Sequence, residues 1–306
     1  MKDWKTGGEK KNRYGLIAGW GNYPIVLAQA MKKAGHEVVC LGVLGHADPK
    51  LREICDVFEF LGLAKFGAAC RFFRKNGVSE ATMAGKIFKN LLLQKNFIWR
   101  QLPDLYTVSV FFPLFLSKKT DLKNDTLLLA VTQAFEKKGV RLLPGTDWAP
   151  ELLVERKVLT KRRPTQAEWE DICYGWPLAR EIGRLDIGQD VMVKDKRILA
   201  LEGIEGTDET TSRASRLNGG KEFTVIKIGK PNQDMRFDVP TIGFGTLETM
   251  IRSHAGILAV EADKTICIEP QSEIIKFADD HHIAIVAMDE TDISLPHFPL
   301  NEANRS

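Results

Sequence analysis

"YGLIAGWGNYPIVLAQAMKKAGHEVVCLGV" (residues 14–43) decides the fold. Its first six residues are an apolar run short enough for a buried strand, closed by a glycine. "GWGN" then makes a turn. "YPIVLAQAMKKAG" reads as a helix, with Pro24 in its first turn and Gly35 beyond its end. "HEVVCLGV" (36–43) is a second strand. Further out, "LAKFGAACRFFRKNG" places Leu63, Phe66, Cys70 and Phe73 on one helical face, and Gly77 stops it. "SEATMAG" (79–85) reads as a third strand, followed by a helix near 124–138 and a strand near "GVRLLPG". Strand and helix alternating in this way predict a parallel α/β unit with right-handed crossovers.

The texture changes after the basic, proline-containing "KRRPT" (161–165). Thr165 and Glu168 have capping-box spacing, so a helix is expected to start there, with Pro177 kinking or ending its first part. "DVMVKDKRILALEG" reads as two strands around a polar turn, and "FTVIKIG", "GILAVEADKTICIE" and "HIAIVAMD" supply more. The expected organisation is a disordered extension (1–13), an α/β domain (14–148), a linker (149–163), a distinct α+β domain (164–292) and a tail (293–306).

Composition narrows the function classes. With 306 residues, 44% of them hydrophobic, the chain can bury a sizeable core. A formal charge of +3 is too mild to argue for nucleic acid. Five cysteines form no CxxC pair, the pattern of reduced, buried thiols in a cytoplasm. "MKDWKTGGEKKNR" lacks the apolar stretch of a secretory signal. The longest apolar run, "VSVFFPLFL" (108–116), contains Pro113 and is too short to span a bilayer.

Four places could carry chemistry. Gly19 and Gly21 sit between a strand and a helix, where backbone can approach a phosphate; tight packing turns use glycine equally. Pro24 stands where a dinucleotide fingerprint needs its third glycine, and no acid ends the second strand, which disfavours a nicotinamide oxidoreductase. Gly85 and Lys86 end a strand where α/β ligands bind, or Lys86 is an ordinary surface lysine. Glu202, Glu205 and Asp208 recur at every third residue and suit Mg²⁺, while Thr207 reads as a helix N-cap with Asp208 and Glu209 in the first turn. In "KPNQDMRFDVPTIG" (230–243), Lys230, Gln233, Asp234, Arg236 and Asp238 crowd together, either as a solvated loop or as a charged-substrate site. Pro240 biases Val239 to extended geometry, a firm mount for Asp238.

"LIAGWGNYP" (16–24), "REIGRLDIGQDVMV" (180–193), "LALEGIEGTDE" (199–209) and "KPNQDMRFDVPTIG" resemble, in this order, the two-domain, Mg²⁺-dependent UDP-2,3-diacylglucosamine pyrophosphatase family of lipid A biosynthesis. The resemblance runs from about residue 14 to residue 290. It implies a Rossmann-like N-terminal domain, a distinct C-terminal catalytic domain, and lipid product held between them. It also implies hydrolysis of UDP-2,3-diacylglucosamine to UMP and 2,3-diacylglucosamine 1-phosphate.

The family's essential aspartate matches Asp238, with Mg²⁺ expected on Asp238, Glu202 and Asp208. Substrate contacts are expected from Gly19, Trp20, Gly21, Gly85, Lys86, Asp125, Gly206, Thr207, Lys230, Gln233 and Thr241. Trp20 departs from the small residue common in that turn, and Asn124 replaces the first of two consecutive acids. "FIWRQLPDLYTVSVFFPLFL" (97–116) either packs in the core or covers acyl chains at a bilayer surface. The resemblance further implies a cytoplasmic protein, peripheral at the inner face of the membrane, and allows a homodimer. The rival reading is a non-catalytic nucleotide-sugar or glycolipid binding protein.

Overall fold

The computed structural model describes residues 12–87, 102–116, 124–231, 234–236 and 239–295, apart from the side chains of 113–116 and 124–127. The chain divides into two compact units, Met1–Ala149 and Pro150–Ser306.

The first unit runs β1 (Arg13–Ala18), α1 (Tyr23–Lys33), β2 (Glu37–Val43), α2 (Leu51–Ile54), β3 (Val57–Leu61), α3 (Phe66–Lys75), β4 (Glu80–Ala84), α4 (Leu105–Leu116), α5 (Asn124–Glu136) and β5 (Arg141–Leu142). Its sheet has the order β3-β2-β1-β4-β5, with every pair parallel. The expected α/β alternation is present, with two corrections. "SEATMAG" is the fourth strand, because "VFEFL" (57–61) pairs outside β2 as the edge strand. One glutamate in five residues and partial burial mark it as an edge. Arg13 belongs to β1 rather than to an extension: it pairs in register with Glu37, and its Nε lies 2.8 Å from Glu37 Oε2.

Leu16 and Ala18 are fully enclosed at the sheet centre. Phe73, Cys70 and Phe135 pack with Val39, Leu41 and Leu142 in one cluster. Asp104 joins two helix starts. Its carboxylate accepts from Ala68 N at 2.9 Å in α3 and from Thr107 N at 2.9 Å in α4.

The second unit runs β6 (Lys157–Val158), α6 (Gln166–Arg184), β7 (Asp190–Lys194), β8 (Arg197–Leu201), α7 (Thr207–Leu217), β9 (Phe223–Lys227), β10 (Thr241–Ile242), α8 (Phe244–Arg252), β11 (Ala255–Glu261), β12 (Ile266–Cys267), α9 (Gln271–Asp280), β13 (Ala284–Met288) and α10 (Glu290–Ile293). Its main sheet has the order β6-β13-β11-β9-β7-β8. The three central strands are parallel, and β6, on one side, and β7, on the other, are antiparallel to their inner neighbours. Strands covered on both faces must be apolar throughout, and β9, β11 and β13 are buried along their whole length. Trp169, Ile172 and Trp176 of α6 pack on one face against Val191, Ile226 and Val286. Ala214, Leu247 and Ile274, from α7, α8 and α9, pack on the other against Met192, Val225 and Ile285.

The expected linker is part of this unit. Lys157 and Val158 pair with β13, and Val154 N donates to Thr265 O at 2.9 Å. The Thr165–Glu168 capping box is present. Pro177 does not end α6, which continues to Arg184. Packed Trp176 and Ala179 on either side hold the helix through the lost backbone bond. The Asp195–Lys196 turn of the β7–β8 hairpin has φ of 50° and 55°, and both of its N–H groups donate to the buried Asp171 carboxylate.

The cysteines are free, four buried and Cys173 half-buried. No described helix is long and apolar enough to cross a membrane.

Candidate functional site

Among the described residues, Gly19, Trp20, Gly21, Gly85 and Lys86 of the first unit, and Glu202, Thr207 and Lys230 of the second, lie near the edge where the parallel strands of their own unit end. In the first unit the order β3-β2-β1-β4-β5 reverses direction between β1 and β4, and Ala18 pairs with Ala84 at their last residues. Ligands of open α/β sheets bind at such a switch point. Gly19–Trp20 and Gly85–Lys86 meet there. Gly19 N donates to Ala84 O at 2.7 Å, Trp20 N to Lys86 O at 2.9 Å, and Lys86 N to Trp20 O at 2.8 Å. The approach requires glycine at both places. A Cβ on Gly19 would lie 2.8 Å from Lys86 O, and one on Gly85 2.8 Å from Trp20 O. Gly85 also has φ +92° and Gly21 φ +107°. Trp20 is half exposed on this platform, and Lys86 is exposed beside it.

Two hydroxyls lie under the same edge. Both, those of Tyr23 and Thr82, are buried with no hydrogen-bond partner among the described residues, and burial pushes the Tyr23 phenol up to about 12. Asp125 lies in α5, and its side chain is outside the described residues.

In the second unit β8, β9, β11 and β13 all end at one edge, and β7 begins there. Lys227, the last residue of β9, is fully buried opposite Asp190, the first of β7. Its ammonium donates to Asp190 Oδ2 at 3.0 Å, Asp190 Oδ1 at 3.1 Å and Thr207 Oγ1 at 2.9 Å. Thr207 Oγ1 in turn donates to Glu202 Oε1 at 3.3 Å, while Gln189 N donates to Glu202 Oε2 at 2.8 Å.

Burial disfavours the Lys227 charge, but Asp190 and Glu202 outweigh it and hold the ammonium above its ordinary range. The Glu202 carboxyl is also raised, by burial first and then by Asp190. Near the start of α7, Asp190 thus holds the ammonium directly, Glu202 reaches it through the Thr207 hydroxyl, and Asp208 adds only a longer-range attraction.

The expected Thr207 N-cap is corrected. Gly206, at φ +84°, is the N-cap, and Thr207 is the first helical residue, with its hydroxyl spent between Lys227 and Glu202. Asp208 and Glu209 occupy the first turn as expected, and Asp208 is exposed. Glu205 pairs with Arg213 at 2.6 Å.

The charged tract after β9 resolves into pairs. Lys230 Nζ lies 2.6 Å from Asp186 Oδ1, and Arg236 Nε lies 2.8 Å from Asp234 Oδ1. Thr241 Oγ1 donates to Val239 O at 2.8 Å. Gln233 and Asp238 lie outside the described residues.

The residue types fit a divalent cation: carboxylate oxygens are hard donors, and acids outnumber ammonium at this edge. Glu202 and Asp208 are the described donors expected to hold it. Among the described residues no group of three or more His, Cys, Asp or Glu is gathered in a geometry that could hold a metal.

Sequence reasoning passed over Asp190, Lys227, Arg180 and Glu261. Their signal is legible afterwards. A charged residue at the end of a strand buried on both faces is tolerated only when paired. Lys227 and Glu261 each end such a strand, and Asp190 begins one.

Comparison with known proteins agrees with this two-part layout. Residues 13–152 match the family described as LpxI N-terminal domain, and residues 155–286 match LpxI C-terminal domain. A curated relative, UDP-2,3-diacylglucosamine pyrophosphatase LpxI of Caulobacter vibrioides, is 30% identical over 290 residues, covering 90% of this chain and 98% of its own. Both halves of the chain are thus matched, in the same order, by one family, and the chain belongs to the LpxI family.

Proposed function

We propose that this protein hydrolyses the diphosphate bond of UDP-2,3-diacylglucosamine, giving UMP and 2,3-diacylglucosamine 1-phosphate, as a step of lipid A biosynthesis. The observation that carries the reading is the nearly end-to-end similarity to a relative bearing that activity in its name.

Breaking a phosphoanhydride needs a placed water and compensation of charge on the phosphoryl oxygens. Asp238 is assigned to orient the water or bind the metal, with Asp208 and Glu202 as acidic support. Mg²⁺ held by these carboxylates would supply charge neutralisation and a more acidic water. Lys227 keeps Glu202 and Asp190 compensated and ties Thr207, hence the start of α7, to the sheet edge. In the first unit, Lys86 and the glycine platform are suited to an anionic group, and half-exposed Trp20 offers an apolar face beside it.

Leu105, Val108 and Phe112 of α4 are exposed at helical spacing, while Phe111 of the same helix packs on Phe66. The Phe111–Phe66 contact supports core packing for one face of the described helix. The exposed face supports contact with acyl chains or with the cytoplasmic surface of a membrane.

Release of UMP from UDP-2,3-diacylglucosamine tests the proposal. Turnover in Mg²⁺ is expected, abolished by a chelator and nearly abolished in Asp238→Asn with folding unchanged. A binding protein without turnover would retain the glycolipid and release no UMP. An Asp238→Asn variant hydrolysing at the parent rate would reject the assigned role.

A further inference from the structure

The segment that leaves β9 is held at its stem by more contacts than a surface loop requires. Gly229 is buried and carries no side chain, so only its main chain can be gripped, and both of its polar groups are. Its N–H donates to Glu261 Oε2 at 2.9 Å, and its carbonyl accepts from Arg180 Nη1 at 3.0 Å. Arg180 and Glu261 also bind each other in a fork, at 2.6 and 3.0 Å, with side chains only 17% and 5% exposed. Lys264 adds a second cation at 2.8 Å from Glu261 Oε1.

The next two residues are fixed from the end of α6. Gly183 lies so close that a Cβ there would sit 3.3 Å from both Lys230 Cα and Pro231 Cδ. Lys230 closes on Asp186, just past the helix.

A buried ion pair is a weak device for stability alone, since well-packed apolar side chains often do as well. It is a strong device for geometry. Arginine's planar fork fixes direction as well as distance, and here the fork and its carboxylate converge on one peptide unit.

We propose that Arg180 and Glu261, with the Lys230–Asp186 pair, form a clamp that positions the 229–231 stem for catalysis. The segment continuing from that stem carries Asp238, so the inference rests on the hydrolase reading above. On it, Arg180 and Glu261 are positioning residues, and Lys230 serves as an anchor through Asp186. Catalytic geometry tolerates little displacement, so a loosened mount lowers turnover without needing to weaken substrate binding.

The test uses the full chain and a paired variant, Arg180→Met with Glu261→Met, which removes the clamp without leaving a lone buried charge. At saturating UDP-2,3-diacylglucosamine, kcat is expected to fall tenfold or more while KM stays within about threefold. Hydrogen exchange should rise in the peptide covering 228–243 and stay at the parent level in β11 and β13. Lys230→Met, which breaks the more accessible pair, should shift both readouts in the same direction and by less; it decides the matter if the paired variant does not fold. A kcat within twofold of the parent, or unchanged exchange over 228–243, overturns the clamp. Absence of UMP release by the parent chain would instead overturn the hydrolase assignment while leaving the exchange result standing, and parent-level turnover in Asp238→Asn would overturn only the role given to Asp238.

Discussion

The ammonium of Lys227 lies 3.0 and 3.1 Å from the two carboxylate oxygens of Asp190, and both side chains are at least 95% buried. Facing strand ends thereby neutralise each other where neither could remain charged alone. Replacing Lys227 by Met leaves Asp190 and Glu202 without their shared cation. Removing one member of a buried pair costs roughly 3–5 kcal/mol. Urea unfolding should show a loss of that order for Lys227→Met, and most of it should return in Lys227→Met combined with Asp190→Leu. A single-variant loss below about 1 kcal/mol would mean that water reaches the pair.

Glu202 gives the second unit a distinctive response to pH. Its carboxyl is held above the ordinary value of 4.5, by burial first and Asp190 next. A carboxyl raised in the folded state contributes fully below its unfolded value, and that contribution disappears as pH rises through the folded value. As pH rises from 4.5 through the raised folded value, Glu202 therefore subtracts stability. Glu202→Gln cannot titrate and keeps an oxygen for the Gln189 N–H. Its unfolding midpoint, relative to the parent, should improve across that window. A relative midpoint that falls with rising pH would contradict the assignment.

The glycine platform makes a comparison of two alanine substitutions informative. Gly85 and Gly35 both have positive φ, +92° and +85°. A Cβ on Gly35 meets nothing within 4 Å, whereas one on Gly85 lies 2.8 Å from the Gly19 carbonyl carbon and 2.9 Å from Pro24 Cγ. The left-handed backbone alone costs about 1–2 kcal/mol in each variant. Gly85→Ala should lose clearly more, and should also weaken UMP binding by calorimetry if the switch point holds the nucleotide. Equal thermal shifts for the two variants would show that the β1 and β4 loops separate easily.

Much of this was legible because it is local. Pro24 and Gly35 bracket α1, Thr165 and Glu168 cap α6, and apolar runs mark the central strands. β3 escaped because an edge strand buries little and carries a charge in its middle. Pro177 misled because its cost is set by what flanks it, and two tryptophans hold α6 to the sheet. The Thr207 assignment failed for a related reason. A hydroxyl before acidic residues looks like a cap until a buried ammonium 20 positions away claims it.

The sequence by itself determined the alternation of strands and helices apart from the edge strand β3, the positions of the glycine turns and the tract that carries Asp238. These depend on backbone sterics and on the period of apolar residues, both of which act between near neighbours. Tertiary structure decided which charges meet. Lys227 with Asp190 and Arg180 with Glu261, like the close approach of Gly19 to Gly85, come together only when elements distant in the chain pack side by side. The strength of each pair depends on a separation and a burial that no local pattern records.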